Sequence, residues 1–140
     1  LIGTALDLAK YRIDKACNHL KSAEILFTSG MYDDSLGRSY YAMLAAARAL
    51  LALKQLDSKK HSGVISLFNQ HFVKTGIVDK VAGKQLGKAR VNRESSDYVD
   101  FYVTSREDAQ IQLETAKTFL TAVEAAFQKV ISNPIRESGN

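Results

Sequence analysis

Six basic side chains fall between positions 74 and 93. Lys74, Lys80, Lys84, Lys88, Arg90 and Arg93 stand against Asp79 alone, and Glu94, Asp97 and Asp100 follow at once. Lys80, Lys84 and Lys88 recur every four residues. On a helix they form one ridge, where like charges oppose one another by roughly a few tenths of a kcal/mol per pair. Such a ridge is either a solvated face or a landing strip for phosphates, whose contacts release counterions. Arg90, Arg93 and Asp97 gather on a different side, below Leu86. Arg93 stands four residues after Ala89 and so points partly inward. A half-buried guanidinium needs a partner, and Asp97 is the nearest. The set is either a structural ion pair tying the helix end to the next segment or an arginine held ready for a phosphate.

His61 lies on an apolar stripe with Ile65, Phe68 and Phe72. It is a satisfied structural histidine near a helix start or, alternatively, a catalytic or ligand-contacting one. Tyr40 and Tyr41 are adjacent on a helix and face directions about 100° apart. One belongs to the core, and the other is free to line a cleft or interface. Cys17 borders the core stripe of the first helix and is expected to be an inert packed thiol. The three His and one Cys have no metal-site spacing, and phosphate-loop, dinucleotide and Gly-x-Ser-x-Gly patterns are absent. No metal and no cofactor are expected.

The elements that position these groups follow from hydrophobic period. Leu6, Ala9, Ile13, Ala16, Leu20, Ala23 and Phe27 step by three and four, which predicts a long amphipathic helix over 4–28, stopped at Gly30. A second helix runs from an Asp33 or Asp34 cap to about Lys54. Between Ser39 and Leu53 it is apolar nearly all round and rich in Ala, so it belongs in the middle of a bundle. Asp57 and Ser58 cap a third helix over 59–74, which ends at Gly76. A fourth covers 78–93 and is expected to be the softest, since Gly83 and Gly87 each cost about 1 kcal/mol against Ala. Residues 94–104 read as a loop carrying Tyr98, Phe101 and Tyr102. Thr104 with Glu107 fits a capping box for a last helix reaching about residue 132. First and last helices share a near-heptad stripe, which packs at shallow angles. The fold expected is all-α, an up-and-down antiparallel bundle of four main helices plus a shorter one.

The chain of 140 residues is 46% hydrophobic and 24% charged, the size and composition of one soluble domain spanning 1–140. A single proline, Pro134, argues against a turn-rich β fold. A lone cysteine excludes an internal disulfide, which makes a cytoplasmic protein the default. Arg48 interrupts the most apolar stretch, 39–53, so no membrane span is expected, and no signal peptide is evident. The net charge of +4 permits an anionic partner without demanding one.

Tyr40-Tyr41-Ala42-Met43 in an Ala-rich second helix, Lys60-His61-Ser62-Gly63-Val64 opening the third, and Arg93-Glu94-Ser95-Ser96-Asp97-Tyr98 before a long last helix form an ordered set over about residues 5–130. This set resembles the small stand-alone prokaryotic HEPN domains. The resemblance implies a helical bundle, usually a homodimer, often paired with a minimal nucleotidyltransferase in a toxin–antitoxin-like system. Many members are metal-independent endoribonucleases whose signature is an Arg followed after four to six residues by a His. Here the positions after Arg93 hold Tyr98, Val99 and Asp100, and those after Arg90 hold Ser95, Ser96 and Asp97. Arg12 with His19 fits the spacing but lies on the first helix, outside the motif region. Moving the proton of a ribose 2′-hydroxyl near neutral pH suits His far better than Tyr.

The function expected is therefore a non-catalytic nucleotide- or RNA-binding HEPN module, using Lys80, Lys84, Lys88, Arg90 and Arg93 with Asp97 in support. The alternatives are a ribonuclease toxin pairing Arg93 with a displaced His61 or Tyr98, and a purely structural bundle. The aromatic cluster Tyr98, Phe101 and Tyr102 suits a dimer interface, where aromatic residues are enriched.

Overall fold

The computed structural model describes residues 2–132; Pro134 lies outside them. The described residues form helices α1 (Ile2–Thr28), α2 (Tyr32–Leu53), α3 (His61–Phe68), α4 (Lys80–Tyr98) and α5 (Arg106–Ser132). A π-helical turn, Asn69–Val73, continues α3. The bundle is all-helical as expected, and none of its described helices is long and apolar enough to cross a membrane.

The apolar second helix takes the centre, since α2 touches every other helix. On α1, Ala9, Ala16 and Ala23 recur every seven residues and are fully buried. Ala42, Ala46 and Ala49 on α2 are buried too, so small side chains bring the two backbones close. The larger core groups lie on the other side of α2. Phe68 packs on Phe72 and Phe119 at 6.1 and 5.6 Å between ring centroids, among Leu50, Leu51 and Leu86. Buried polar groups fix the helices against one another. Ser35 donates to the Ala23 carbonyl (2.7 Å). Gln112 on α5 donates to the Leu36 carbonyl and accepts from Asn92 on α4, each at 3.0 Å.

Local expectations changed at the helix ends. Asp33 and Asp34 are not caps: Met31 holds the N-cap position of α2, without a side-chain bond, and the two aspartates lie in the first turn. There their charge meets the positive end of the helix dipole. Asp57 and Ser58 do not cap α3 either. They build the preceding turn, in which the Ser58 N–H donates to Asp57 and the Lys60 N–H to the Ser58 hydroxyl. Residues 94–98 are helical, not a loop, because the ion pairs of Arg90 and Arg93 with residues four further on carry α4 to Tyr98. The capping box of α5 is shifted by one. Ser105 accepts from the Asp108 N–H (3.0 Å), while the Thr104 hydroxyl donates to Ser96 (3.4 Å). Cys17 is exposed on α1 rather than packed. Desolvation, then Glu124 and Asp14, push its thiol pKa up, so it stays protonated near neutral pH.

Gly83 has a packing reason. A Cβ there would collide with the Asn69 side chain and stand 3.2 Å from Val73, so α4 sits directly on the π-helical turn. At Gly87 a Cβ would meet nothing within 4 Å. Gly87→Ala is therefore expected to raise stability by up to about 1 kcal/mol. Gly83→Val is expected to lower it by about 1–3 kcal/mol through overpacking. Urea denaturation of the two variants separates these opposite signs.

Candidate functional site

Helices α1, α2, α3 and α4 converge where the sequence places its adjacent tyrosines. Tyr40 faces the core and is 1% exposed, whereas Tyr41, one residue on, is half-buried and lines a cleft. Arg93 comes in from α4 with its guanidinium carbon 4.5 Å from the centre of the Tyr41 ring. Its Nη2 pairs with Asp97 at 2.9 Å, and its side chain is 24% exposed. Its Nε is buried without a hydrogen-bond partner. Space for this arginine comes from Gly37 on α2, where an added Cβ would sit 3.4 Å from Nε. Arg90, one turn earlier, pairs with Glu94 at 2.8 Å.

His61 enters from the first turn of α3. Its Nδ1 is 3.1 Å from the Tyr40 hydroxyl, and its ring meets Tyr41 edge-on with centroids 6.0 Å apart. The turn before it is held tightly. Asp57 accepts from Arg12 (3.2 Å) and Arg48 (3.1 Å), and a Cβ on Gly63 would overlap the Ser58 side chain. Burial alone would raise the Asp57 pKa, but the Ser58 N–H, Arg48 and Arg12 outweigh it and leave the carboxyl below its ordinary value. Opposite His61, His19 of α1 packs on Tyr41 at 6.0 Å, with Arg38 3.4 Å from its Nδ1.

Burial lifts the Tyr40 phenol to about 12, so at neutral pH it is an uncharged hydroxyl. Burial, and then the Arg90, Arg93 and Arg48 charges, lower the His61 pKa and favour its neutral form. The chemical content of the site is thus a partly exposed guanidinium, a neutral imidazole and an aromatic platform between them.

Of the anticipated residues, Arg90, Arg93, Asp97 and His61 come together here. Lys80, Lys84 and Lys88 are exposed on the opposite face of α4, because Arg93 lies along the direction of the buried Ala82, Leu86 and Ala89. The ridge and the arginines are therefore two separate features. Tyr98 is 77% exposed at the end of α4 and makes none of the ring or hydrogen-bond contacts of the cleft. Sequence reasoning passed over Arg12, Arg38 and Gly37 as parts of the site. Arg48 was the signal available: one charge inside an otherwise apolar helix.

The class of protein that fold and site define is an all-helical bundle in which arginine and histidine from different helices meet on one tyrosine ring. The HEPN domain profile matches residues 9–126, and the chain belongs to that family. A Methanocaldococcus jannaschii protein named Putative toxin is 34% identical over 119 residues, 85% of this chain and 88% of its own. A Thermotoga maritima protein of the UPF0332 group is 33% identical over 117 residues, covering 84% and 89% of the two chains. An Archaeoglobus fulgidus UPF0332 protein is 33% identical over 124 residues, covering 89% and 98%.

The lowered His61 pKa makes the fold pH-dependent. The unfolded chain binds a proton at His61 near the ordinary 6.5 while the folded chain resists it. Unfolding below that pH therefore takes up protons, so stability is fully present above 6.5 and falls as the pH drops beneath it. His19, also lowered by burial and then by Arg38 and Lys15, acts in the same direction. His61→Asn is expected to flatten, not abolish, this dependence in urea midpoints measured between about pH 5 and pH 7.5.

Proposed function

We propose that this protein is an RNA-binding HEPN module of a toxin–antitoxin-type pair. In this reading Arg93, backed by Arg90, grips a phosphate of the strand beside Tyr41 and His61. The observation that carries it is the state of Arg93. A guanidinium held half-buried against an aromatic ring, with Asp97 on its Nη2 and part of the side chain still exposed, is pre-positioned for a second oxyanion on its exposed side. The toxin name of a relative over most of its length supports the class of pair.

Titration of a short RNA at low salt is expected to show binding that weakens steeply as salt rises. Arg93→Ala removes a charge-assisted contact and is expected to cost about tenfold or more. Neutralising Lys80, Lys84 and Lys88 together is expected to change affinity less than Arg93→Ala alone. The absence of any binding at low salt leaves only the structural bundle.

A second reading has an observation of its own, the meeting of His61 and Arg93 on the same Tyr41 ring. The His expected after Arg93 is missing from α4, and the imidazole arrives from α3 instead. A neutral imidazole can take the proton of a ribose 2′-hydroxyl, whose oxygen then attacks the adjacent phosphorus; the bond from phosphorus to the 5′ oxygen breaks, leaving a 2′,3′-cyclic phosphate and a 5′ oxygen that takes up a proton from water to depart as a hydroxyl. Arg93 would balance the charge that builds on the phosphate. This reading predicts RNA cleavage in excess chelator that either His61→Ala or Arg93→Ala abolishes. Intact RNA after long incubation with pure protein counts against it.

Homodimerisation and a nucleotidyltransferase partner belong to the same proposal. The strip after α4 supports an interface: Tyr98, Val99, Phe101 and Val103 are more than half exposed, and Phe101 is wholly so. Apolar side chains gathered in this way mark interaction surfaces. A dimer mass in light scattering that Phe101→Asp reduces to the monomer is the expected result.

A further inference from the structure

The Arg93 cleft does not end at His61. A pocket of about 360 Å³ opens beside it between α1 and α2, lined among others by Tyr11, Lys15, His19, Tyr41, Arg48 and His61. Tyr41 and His61 line this pocket, and the Tyr41 ring also carries Arg93, so pocket and arginine share a side chain. The volume falls within the usual range for small-molecule sites, about 300–1,000 Å³.

We propose that this pocket is a second nucleotide subsite, so that the protein takes single-stranded RNA across at least two consecutive nucleotides. The proposal rests on the reading of Arg93 as a phosphate-binding arginine and adds the class of strand to it. Two chemistries meet in the pocket. The first is aromatic: Tyr11 is 59% exposed, and His19 and His61 each lie 6.0 Å from Tyr41. The second is cationic. Arg12 and Arg48 share Asp57, but Lys15 has no carboxylate partner among the described residues, and its ammonium lies 5.6 Å from the centre of the Tyr11 ring.

Stacking surfaces interleaved with cations are what binds single strands without a fixed sequence, because every base has a π-face. A duplex keeps its bases stacked on one another and cannot offer one to Tyr11. The spacing fits a strand rather than one phosphate. Arg93 sits at the level of Gly37 and Tyr41, whereas Arg48 lies two turns further along α2, about 10 Å along the axis. In this arrangement one phosphate meets Arg93, the next base stacks in the Tyr11 pocket, and Lys15 faces the phosphate that follows.

The test measures hexa-adenylate RNA by fluorescence anisotropy over a salt series, and inorganic phosphate by its NMR line shift. Tyr11 and Lys15 are exposed, so Tyr11→Ala and Lys15→Gln leave the core intact. Tyr11→Ala is expected to weaken the hexamer at least about fivefold. Lys15→Gln is expected to flatten the slope of log affinity against log salt by about 0.7. Neither changes phosphate binding, which Arg93→Ala weakens. A blunt RNA duplex is expected to bind less tightly than the hexamer.

Wild-type affinity for the hexamer in both pocket variants, or a duplex that binds as tightly as the single strand, overturns the second subsite while leaving Arg93 in place. Hexamer binding that responds to Tyr11→Ala but not to Arg93→Ala supports the pocket and overturns the Arg93 reading instead. No binding of either probe by the wild type overturns both.

Discussion

A helix that is apolar on every side has to be surrounded, and this constraint on α2 arranges the rest of the molecule. Ala-lined contact with α1 on one side and the Phe68–Phe119 core on the other leave α2 little surface of its own. Its polar residues are consequently few and informative. Ser35 donates to the Ala23 carbonyl of α1, and the Leu36 carbonyl accepts from Gln112 of α5. Tyr41 and Arg48 line the pocket between α1 and α2 that adjoins Arg93. The site is thus the gap left when a buried helix is covered by neighbours of unequal length.

Bringing a charge into that gap has consequences for its neighbours. Asp97 and the Tyr41 face replace part of the water that the Arg93 guanidinium loses. The same charge then acts on His61, whose imidazole cannot protonate easily beside Arg90 and Arg93. Tyr40, neutral and buried, holds the other side of the ring. Arginine and histidine therefore work against each other: while the Arg93 charge is uncompensated, the neutral imidazole is favoured next to it. A bound phosphate would reverse this by cancelling the arginine charge and letting the imidazole accept a proton at higher pH. Proton uptake at His61 and any anion bound at Arg93 would be coupled by that electrostatics.

Features confined to one helix were legible in the sequence. Arg93 and Asp97 are four apart, and their pairing follows from helical spacing. The inward direction of Arg93 follows from its distance to Ala89, and the split between Tyr40 and Tyr41 follows from about 100° per residue. The juxtaposition of His61, Tyr41 and Arg93 was not legible, because it depends on how three helices cross. Misreadings at segment ends have a local cause. Ser95 and Ser96 are poor helix formers, and nothing in their types reveals that two ion pairs and the Ser96–Asp33 bond would hold them helical. Gly83 reads as a weak point by propensity and is a close contact in space, a distinction only the facing residue supplies. Cys17 borders the α1 stripe, but α1 is covered on one side only, and a residue one step off its buried row faces outward.

The basic block of the sequence is divided by the helix that carries it. Six cations within 20 residues look like one electrostatic feature, yet Lys80, Lys84 and Lys88 project from one face of α4 and Arg93 from the other. The bundle wall and solvent stand between them, and exposed charges are screened beyond about 8 Å at physiological salt. For an anion in the cleft the ridge is therefore no contact surface. For a polyanion its part would be confined to the approach, through the long-range field of the exposed lysines. Contact and steering are separable by ionic strength. A direct phosphate contact at a half-buried arginine weakens less with salt than the attraction of an exposed lysine ridge, so the two halves of one charge run play different physical roles.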